Sequence, residues 1–463
     1  MGIFNFFFAK IKKKDKKVSS GVISAHLEKD LGENEKFYFF SLLTNRFDLA
    51  SEKMAELLSK KFGQTFEPIY IYSAEPNSSY QKRNYIIINE KLAKFRSETK
   101  QKKAITLQDY EDLNLEFRRA PLVKKLIKKL NKKQGPVFVY SFTSFGLSLD
   151  KKIKVIGPDS QLVEKYDNKI EQIKLFKELK LPIVSTRIFP SFEKILKAKL
   201  FFPVFISPAY TSGAAESAVI RDKKELDQFY KNLRKINKKS QFFAAKFLLD
   251  VRLSPNSTAM VCGENDTRVL QISDQILAGT KHMGNIYPTR ASAKAKEVII
   301  EATLKVGNHL SQLGFRGMFG CDFMLDSQDN CYIVDLNPRR QGGYLMVYLM
   351  SGKYDLLDLE LRVALGEKVP QFCYEDFQKK IVWAHTKLIP EQKHNRLTSE
   401  KRLHDEKFPF ERVGECFSSF FYPKRYNVDK ITVGYYIVSG QDYLQVLQRT
   451  MDESKEILKC SIQ

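Results

Sequence analysis

A chain of 463 residues, 43% hydrophobic and 28% charged, is long enough for about three ordinary domains and apolar enough to bury real cores. Its 77 lysines and arginines against 54 acids leave a formal net charge of +23, which invites a polyanion or an anionic membrane surface as partner. The lysine runs at 12–17, 124–133 and 150–154 are dispersed along the chain and carry no zinc-knuckle or RNA-binding aromatic signature, so no nucleic-acid partner is expected.

The first 35 residues read as a basic tail. Met1-Gly-Ile-Phe-Asn-Phe-Phe-Phe8, followed by Lys10, Lys12 to Lys14, Lys16 and Lys17, suits weak contact with an anionic membrane surface, is too short to span one, and has Phe6 where a myristoylation signal needs Ser or Thr. From 36 to 154, apolar runs at Phe37–Phe40, Ile69–Tyr72 and Val137–Tyr140 alternate with helical stretches, as in an α/β domain. No GxGxxG or Walker-type loop occurs, which argues against an ordinary dinucleotide or P-loop site. A third region runs from 155 to 366 and closes on a helical pattern, Leu356 to Leu365. The last, 367–463, is an α+β piece with strands near Ile381–Ala384 and Ile431–Ile437 and a helix from Tyr443 to Leu458.

Within the third region the segment Gly320 to Arg339 carries the chemistry. Two apolar strands flank the turn Asp326-Ser-Gln-Asp-Asn330, and pairing of residue 326 with 331 would set Asp322 directly opposite Asp335. Like charges so placed destabilise a sheet unless something neutralises them. A divalent cation would, and Asn337, two residues beyond Asp335, falls on the same face as a third hard oxygen ligand. Two acids alone would equally suit a solvated hairpin; the Asn337-Pro338-Arg339 sequence favours the metal site.

An aspartate on one strand, then an acid and an asparagine in the setting Asp335-Leu-Asn337-Pro-Arg339, resembles the ATP-grasp superfamily. The resemblance implies an α/β chain with α+β lobes: a pre-ATP-grasp α/β domain, a two-lobed ATP-grasp fold and a smaller C-terminal α+β piece. It implies ATP as cofactor with Mg²⁺, or Mn²⁺, held by Asp322, Asp335 and Asn337. Arg339 would contact the transferring phosphoryl group, with Arg340 beside it near substrate. Tyr166-Asp-Asn-Lys169 resembles the entry to that fold, making Lys169, at the start of an apolar-striped helix, a nucleotide-binding lysine. The stretch Phe202 to Ser217 resembles the strand and phosphate flap, with Ser207, Ser212 and Gly213 as contacts. The stretch Phe242 to Asp250 resembles the adenine hinge, through Lys246, Phe247, Leu248 and Asp250. His282 and Arg290 lie in a polar, glycine-punctuated stretch where the resemblance places the acceptor substrate. The sequence departs from the pattern in three places: Asp335 stands where Glu is commoner, Ser207 where a lysine is expected, and the flap holds one glycine instead of several.

The expected activity is ATP-dependent carboxylate–amine ligation through an acyl phosphate, on small, amino-acid-like carboxylate and amine substrates. The alternative is a catalytically silent ATP-binding regulator or interaction protein with the same fold, which Ser207 and the glycine-poor flap favour. The six cysteines, at 262, 321, 331, 373, 416 and 460, form no close ligand pairs and no secretory pattern is present, so a reducing cytoplasm is expected, with Cys321 and Cys331 serving as apolar packing.

Overall fold

The computed structural model describes residues 22–28, 31, 35–42, 48–72, 84–88, 107–147, 151–210, 217–233, 240–279, 281–344, 347, 354–377, 382–388, 416–417 and 434–461. They build three sheets in an α/β arrangement. The first sheet contains β1 (Val22–His26), β2 (Phe37–Leu42), β3 (Phe66–Tyr72), β4 (Tyr85–Ile88), β5 (Val137–Ser141) and β6 (Ile153–Ile156), in the order β1-β4-β3-β2-β5-β6. The pairs from β4 through β6 are parallel. Phe-Tyr-Phe-Phe-Ser-Leu in β2 and Val-Phe-Val-Tyr-Ser in β5 are almost wholly buried, the continuous apolar run that a strand covered on both faces requires. The covers are α1 (Asp48–Phe62) on one side and α2 (Leu107–Arg119) with α3 (Pro121–Gln134) on the other. The expected tail is shorter than 35 residues in consequence, because Val22–His26 pairs antiparallel with Tyr85–Ile88 as an edge strand. Residues 1–21 lie outside the described residues.

Helix α4 (Ser160–Tyr166) and helix α5 (Lys169–Glu178) lead into a small sheet of β7 (Thr186–Phe189), β8 (Val204–Pro208), β9 (Ala218–Ile220) and β10 (Phe242–Lys246), ordered β7-β10-β8-β9. One face packs Phe189, Val204, Ile206, Ile220, Phe242 and Ala244 beneath α6 (Phe192–Leu196) and α7 (Lys223–Asn232). Strand alternation turns Ile188, Phe205, Ser207, Val219, Phe243 and Ala245 to the opposite face.

The large sheet holds β11 (Val251–Leu253), β12 (Pro255–Gly263), β13 (Asp266–Ala278), β14 (Lys281–Tyr287), β15 (Gly317–Asp326), β16 (Cys331–Asn337), β17 (Val382–Leu388), β18 (Cys416–Phe417) and β19 (Gly434–Gly440). Helix α8 (Ala293–Gln312), capped by the Ser292 hydroxyl accepting from Ala295 N–H, lays Ala295, Ile299, Ala302, Val306 and Leu310 on one face, against Val261, Phe319, Cys321 and Phe323. Cys321 and Cys331 are buried there, their thiols pushed up by desolvation, Cys331 to about 12, as packing residues should be. On the other face Met260 and Met318 join a core with α1, the first sheet and α9 (Leu356–Leu365). The C-terminal region is not a separate layer: β17 pairs with β14 and then with β19, so it extends the large sheet, and α10 (Tyr443–Ser461) packs on β17 and β19. No helix among the described residues is long and apolar enough to cross a membrane.

The β14–β17 junction leaves no room beside Gly284, where a Cβ would sit 1.9 Å from the His385 carbonyl oxygen, a backbone atom that cannot swing away. Gly284→Ala is therefore expected to cost about 1–3 kcal/mol, as overpacking does. Gly263→Ala, whose Cβ meets its nearest atom at 3.6 Å, should stay within about 0.5 kcal/mol of the parent. Urea unfolding of both variants checks this; equal midpoints would show that β17 is not fixed on β14 as described.

Candidate functional site

Asp322 does lie opposite Asp335, by a different register from the expected one. Leu325, not Asp326, pairs with Cys331, and a bulge that leaves Val334 as the extra residue restores the opposition at Asp322–Asp335, Cys321–Leu336 and Gly320–Asn337. Asp326 instead closes the turn, accepting backbone N–H bonds from Gln328 at 3.0 Å and Asn330 at 2.8 Å.

The two carboxylates are enclosed by donors. Lys169 Nζ donates to Asp335 Oδ1, and Asn256 Nδ2 donates to Asp322 Oδ1. Asn337 and Gln341 donate to Asp322 at 3.3 Å each. Arg339 Nη2 donates to Asn337 Oδ1 at 2.8 Å, and its Nε stands 3.9 Å from Asp167 Oδ1. Local sequence places each group. Asn168 caps α5, accepting from the N–H groups of Ile170 and Glu171, and so projects Lys169 from the first turn. Ile170, Ile173 and Phe176 anchor that helix beneath. Gly320 leaves room for the Gln341 amide, since a Cβ there would lie 1.8 Å from Gln341 Oε1 and the Gln341 side chain would have to move.

Electrostatics follows from crowding. Burial first, then the Asp335 charge, push the Asp322 carboxyl up to about 6; the Asn256 hydrogen bond and the Lys169 charge oppose them. Burial likewise raises Asp167 to about 6 against the pull of Arg339 and Lys169. Asp167 Oδ2 and Arg339 Nε are buried with no hydrogen-bond partner among the described residues. Two opposed carboxylates, and orphaned polar atoms nearby, suit a hard divalent cation and an anionic ligand; the Asn337 amide, which now turns its nitrogen to Asp322 and its oxygen to Arg339, would have to turn over to add a third oxygen. Among the described residues no cluster of three or more His, Cys, Asp or Glu side chains could hold a metal by itself, so a cation here would share its shell with ligand oxygens and water.

Of the other expected residues, Ser207 is buried, donating to Pro208 O at 3.3 Å and accepting from Ser217 Oγ at 2.8 Å. It stands near Lys169, whose N–H donates to Ala209 O at 2.7 Å. Ser212 and Gly213 lie outside the described residues. Lys246 is exposed and pairs with Val204 at the end of β10, so its side chain leaves the strand on the side opposite Ser207. Phe247 and Leu248 are half-buried beyond β10, and Asp250 accepts from Ser327 Oγ at 2.7 Å, at the turn end of the β15–β16 hairpin.

His282 and Arg290 are not brought together. His282 Nδ1 accepts from Lys387 at 3.2 Å, because an ammonium can only donate, so Nε2–H faces Asn285 Oδ1 at 2.9 Å. Asn285 in turn donates to Ser273 Oγ at 3.1 Å. Gly342 sits against this ring, with a Cβ there 3.1 Å from His282 Cε1. Arg290 is exposed, lying over the Tyr443 ring at 5.3 Å. Arg340 is a correction: its guanidinium is 3% exposed and forks onto Glu360 at 2.9–3.3 Å, with further bonds to Ser141 O and Ile156 O. It joins β5, β6 and α9 instead of facing a substrate. Sequence reading missed Asp167, Asn256 and Gln341. The first adjoins Asn168-Lys169 and the last follows Arg339-Arg340, so proximity along the chain was the available signal for both.

Residues 167–343 match the sequence profile of an ATP-grasp domain. The large chain of carbamoyl phosphate synthase from Clostridium botulinum (strain Kyoto / Type A2) is 27% identical over 231 residues, 49% of this chain and 21% of that protein. L-propargylglycine–L-glutamate ligase from Streptantibioticus cattleyicolor is 31% identical over 97 residues, 21% of this chain and 20% of the ligase. The match thus spans about a fifth of the length of each curated relative. Among solved structures, the biotin carboxylase domain of Hydrogenobacter thermophilus 2-oxoglutarate carboxylase, in complex with MgADP, ADP and bicarbonate, superposes with a TM-score of 0.65 at 14% identity, covering 92% of this chain and 90% of that one.

Two outcomes follow. Glu360→Ala, which strands a buried guanidinium, should cost about 3–5 kcal/mol in urea unfolding; a loss below about 1 kcal/mol would contradict the buried pair. The Asp322 carboxyl titrates higher in the folded chain than the 3.8 of the free side chain, so above about pH 6 its ionised form weighs against folding and protonation relieves that cost. Asp322→Asn should accordingly raise the melting temperature of the ligand-free, metal-free protein at pH 7.5, with the gain shrinking as pH falls below 6.

Proposed function

We propose, on the premise that residues 167–343 form an ATP-grasp domain, that the protein is an ATP-dependent ligase that joins a small carboxylate to an amine through an acyl phosphate, releasing ADP and phosphate. The observation that carries this reading is Asp322 opposed to Asp335 with Lys169, Asn337 and Arg339 bonded into the same cluster. The name of one relative, a ligase of L-propargylglycine with L-glutamate, supports amino-acid-like substrates, and the bicarbonate in a structural neighbour supports a small carboxylate at such a site.

Asp322, Asp335 and Asn337 would hold Mg²⁺, or Mn²⁺, which when bound supplies positive charge against the nucleotide phosphates. Phe247 and Leu248 would meet the adenine and Asp250 the ribose. Val251 pairs with Asp326, four residues along β15 from Asp322, about 13 Å at roughly 3.3 Å per residue, a span suited to a nucleotide laid along the hairpin. Lys169 and Arg339 offset charge as a substrate carboxylate oxygen bonds to the γ-phosphorus. The bond from that phosphorus to the bridging oxygen breaks, and its electron pair leaves on ADP. The amine nitrogen then bonds to the acyl carbon, the carbon–oxygen bond to phosphate breaks with its pair leaving on phosphate, and the nitrogen loses a proton to phosphate or solvent.

Purified protein incubated with Mg²⁺, ATP and pooled amino acids, carboxylic acids and bicarbonate should form ADP in an acceptor-dependent way, with a condensed product found by mass spectrometry. Asp335→Asn should cut that rate by roughly 10²- to 10³-fold. The neutral, internally bonded Ser207 favours a second reading, a silent nucleotide-binding protein; ATP binding without turnover across broad pools would establish it in place of the first.

A further inference from the structure

Asp167 lies at the junction of α4 and α5, its N–H donating to Val163 O at 2.9 Å, but its side chain caps neither helix: Asp159 caps α4 and Asn168 caps α5. The junction is fixed. Gln172, 1% exposed, donates to Tyr166 O at 2.6 Å and Leu336 O at 2.7 Å and accepts from Leu336 N–H at 3.0 Å. It thereby staples the junction to the β16 residue that stands between Asp335 and Asn337. From the other direction, the buried Arg340–Glu360 pair fixes the backbone next to Arg339. Between these fixed points the Asp167 carboxylate and the Arg339 guanidinium approach without bonding. Arg339 Nε stands 3.9 Å from Asp167 Oδ1, about 1 Å beyond a charge-assisted hydrogen bond. Nε and Asp167 Oδ2 are both buried with no hydrogen-bond partner among the described residues. A carboxylate left in this state costs stability, and the fold gives it no other task.

We propose that Asp167 is a positioning residue for Arg339: an acceptor left open in the ligand-free protein, onto which the Nε and Nη2 edge of the guanidinium closes when ligand binds. The inference rests on the ligase reading above and goes beyond it by giving Arg339 two seats. In the first seat Nη2 donates to Asn337 Oδ1 at 2.8 Å and Nη1 to Arg340 O at 3.1 Å, while Asn337 Nδ2 donates to Asp322. For the Asn337 oxygen to turn toward Asp322 the amide must turn over, which sets its nitrogen against Nη2, donor against donor. Arg339 then loses that acceptor, and Asp167 offers two oxygens to the same edge. The Phe142 ring, 5.9 Å from the guanidinium carbon, offers it none. A side-on pair with Asp167 takes Nε–H and one N–H of Nη2. One N–H on each Nη is left as an end-on fork for a phosphoryl or carboxylate group. Asp167 thus keeps Arg339 held in place at the moment Asn337 releases it.

Proton–nitrogen correlation spectra of the full-length chain carrying isotope-labelled arginine test this, with Arg339→Lys identifying the Arg339 Nε–H signal. On addition of Mg²⁺ and ADP the parent signal should move downfield, as a proton entering a charge-assisted bond does. Asp167→Leu, close in shape and without an acceptor, should abolish that movement while leaving the affinity for ADP unchanged. It should also cut acceptor-dependent ADP formation roughly 100-fold, the scale of a misplacement of about 1 Å. The same variant should raise the melting temperature of the ligand-free, metal-free protein at pH 7.5, because it removes a buried acceptor that has no partner. A lower melting temperature, the mark of a residue serving the fold, would overturn the proposal. If Asp167→Leu does not fold, Asp167→Asn, which keeps one oxygen and loses the charge, should show a reduced movement of the signal. The same movement in parent and variant, or a parent signal that stays still while other resonances respond to Mg²⁺ and ADP, would overturn the positioning role and leave the ligase reading intact. No response anywhere in the parent spectrum would overturn both.

Discussion

Two carboxylates held face to face across an antiparallel strand pair are the constraint around which the rest of the site is built. Asp322 and Asp335 repel at a separation set by the backbone, and the surrounding residues answer that repulsion from different parts of the chain. Lys169 arrives on a capped helix, Asn256 from the neighbouring strand, and Asn337 and Gln341 from the segment after the hairpin. The absence of a side chain at Gly320 lets Gln341 lie flat on the sheet. The ligand-free site is therefore compensated but not relaxed, which is the condition under which an arriving cation gains most.

Adjacent arginines show how sharply backbone direction divides labour. Arg339 turns into the cluster, beside Asp167 and Asn337, while Arg340 turns into the core and clamps Glu360 with two main-chain carbonyls of the first sheet. Tyr344 adds a hydroxyl to Glu360 at 3.0 Å, and the Arg340 guanidinium lies over the Tyr140 ring at 4.5 Å. A buried pair of this kind offers little net stability but strongly penalises any arrangement that separates its members. Its position, one residue from the site, ties the geometry of Arg339 to the docking of the first domain on the large sheet.

Much of this was legible in the sequence where a physical rule had one outcome. Continuous apolar runs gave the parallel strands β2 and β5. Alternation across a turn paired Asp322 with Asp335, and an apolar stripe of helical period marked α5, while Lys169 at its start rested on the resemblance of Tyr166-Asp-Asn-Lys169 to the ATP-grasp entry. The register failed by one residue at the turn because a bulge at Val334 leaves no mark on an apolar–polar pattern. Lys246 was ambiguous because a strand end read without its neighbours does not say which face a helix covers. Arg340 looked like its neighbour because its partner, Glu360, lies on a helix twenty residues away, where sequence pattern carries no pairing information. The C-terminal strands were found as strands, but nothing local could show that they join a sheet begun a hundred residues earlier.

That joining has a consequence for how the protein is made. Until Val382–Leu388 leaves the ribosome, β14 stands as an open edge of the six strands β11 to β16, with its N–H and C=O groups unpaired on one side. Such an edge templates the addition of any extended segment, including that of a neighbouring nascent chain. Ribosomes that stall or terminate between residues 338 and 381 would thus release a product with six strands of the large sheet in place and one adhesive edge, and quality control of this protein falls on its last quarter.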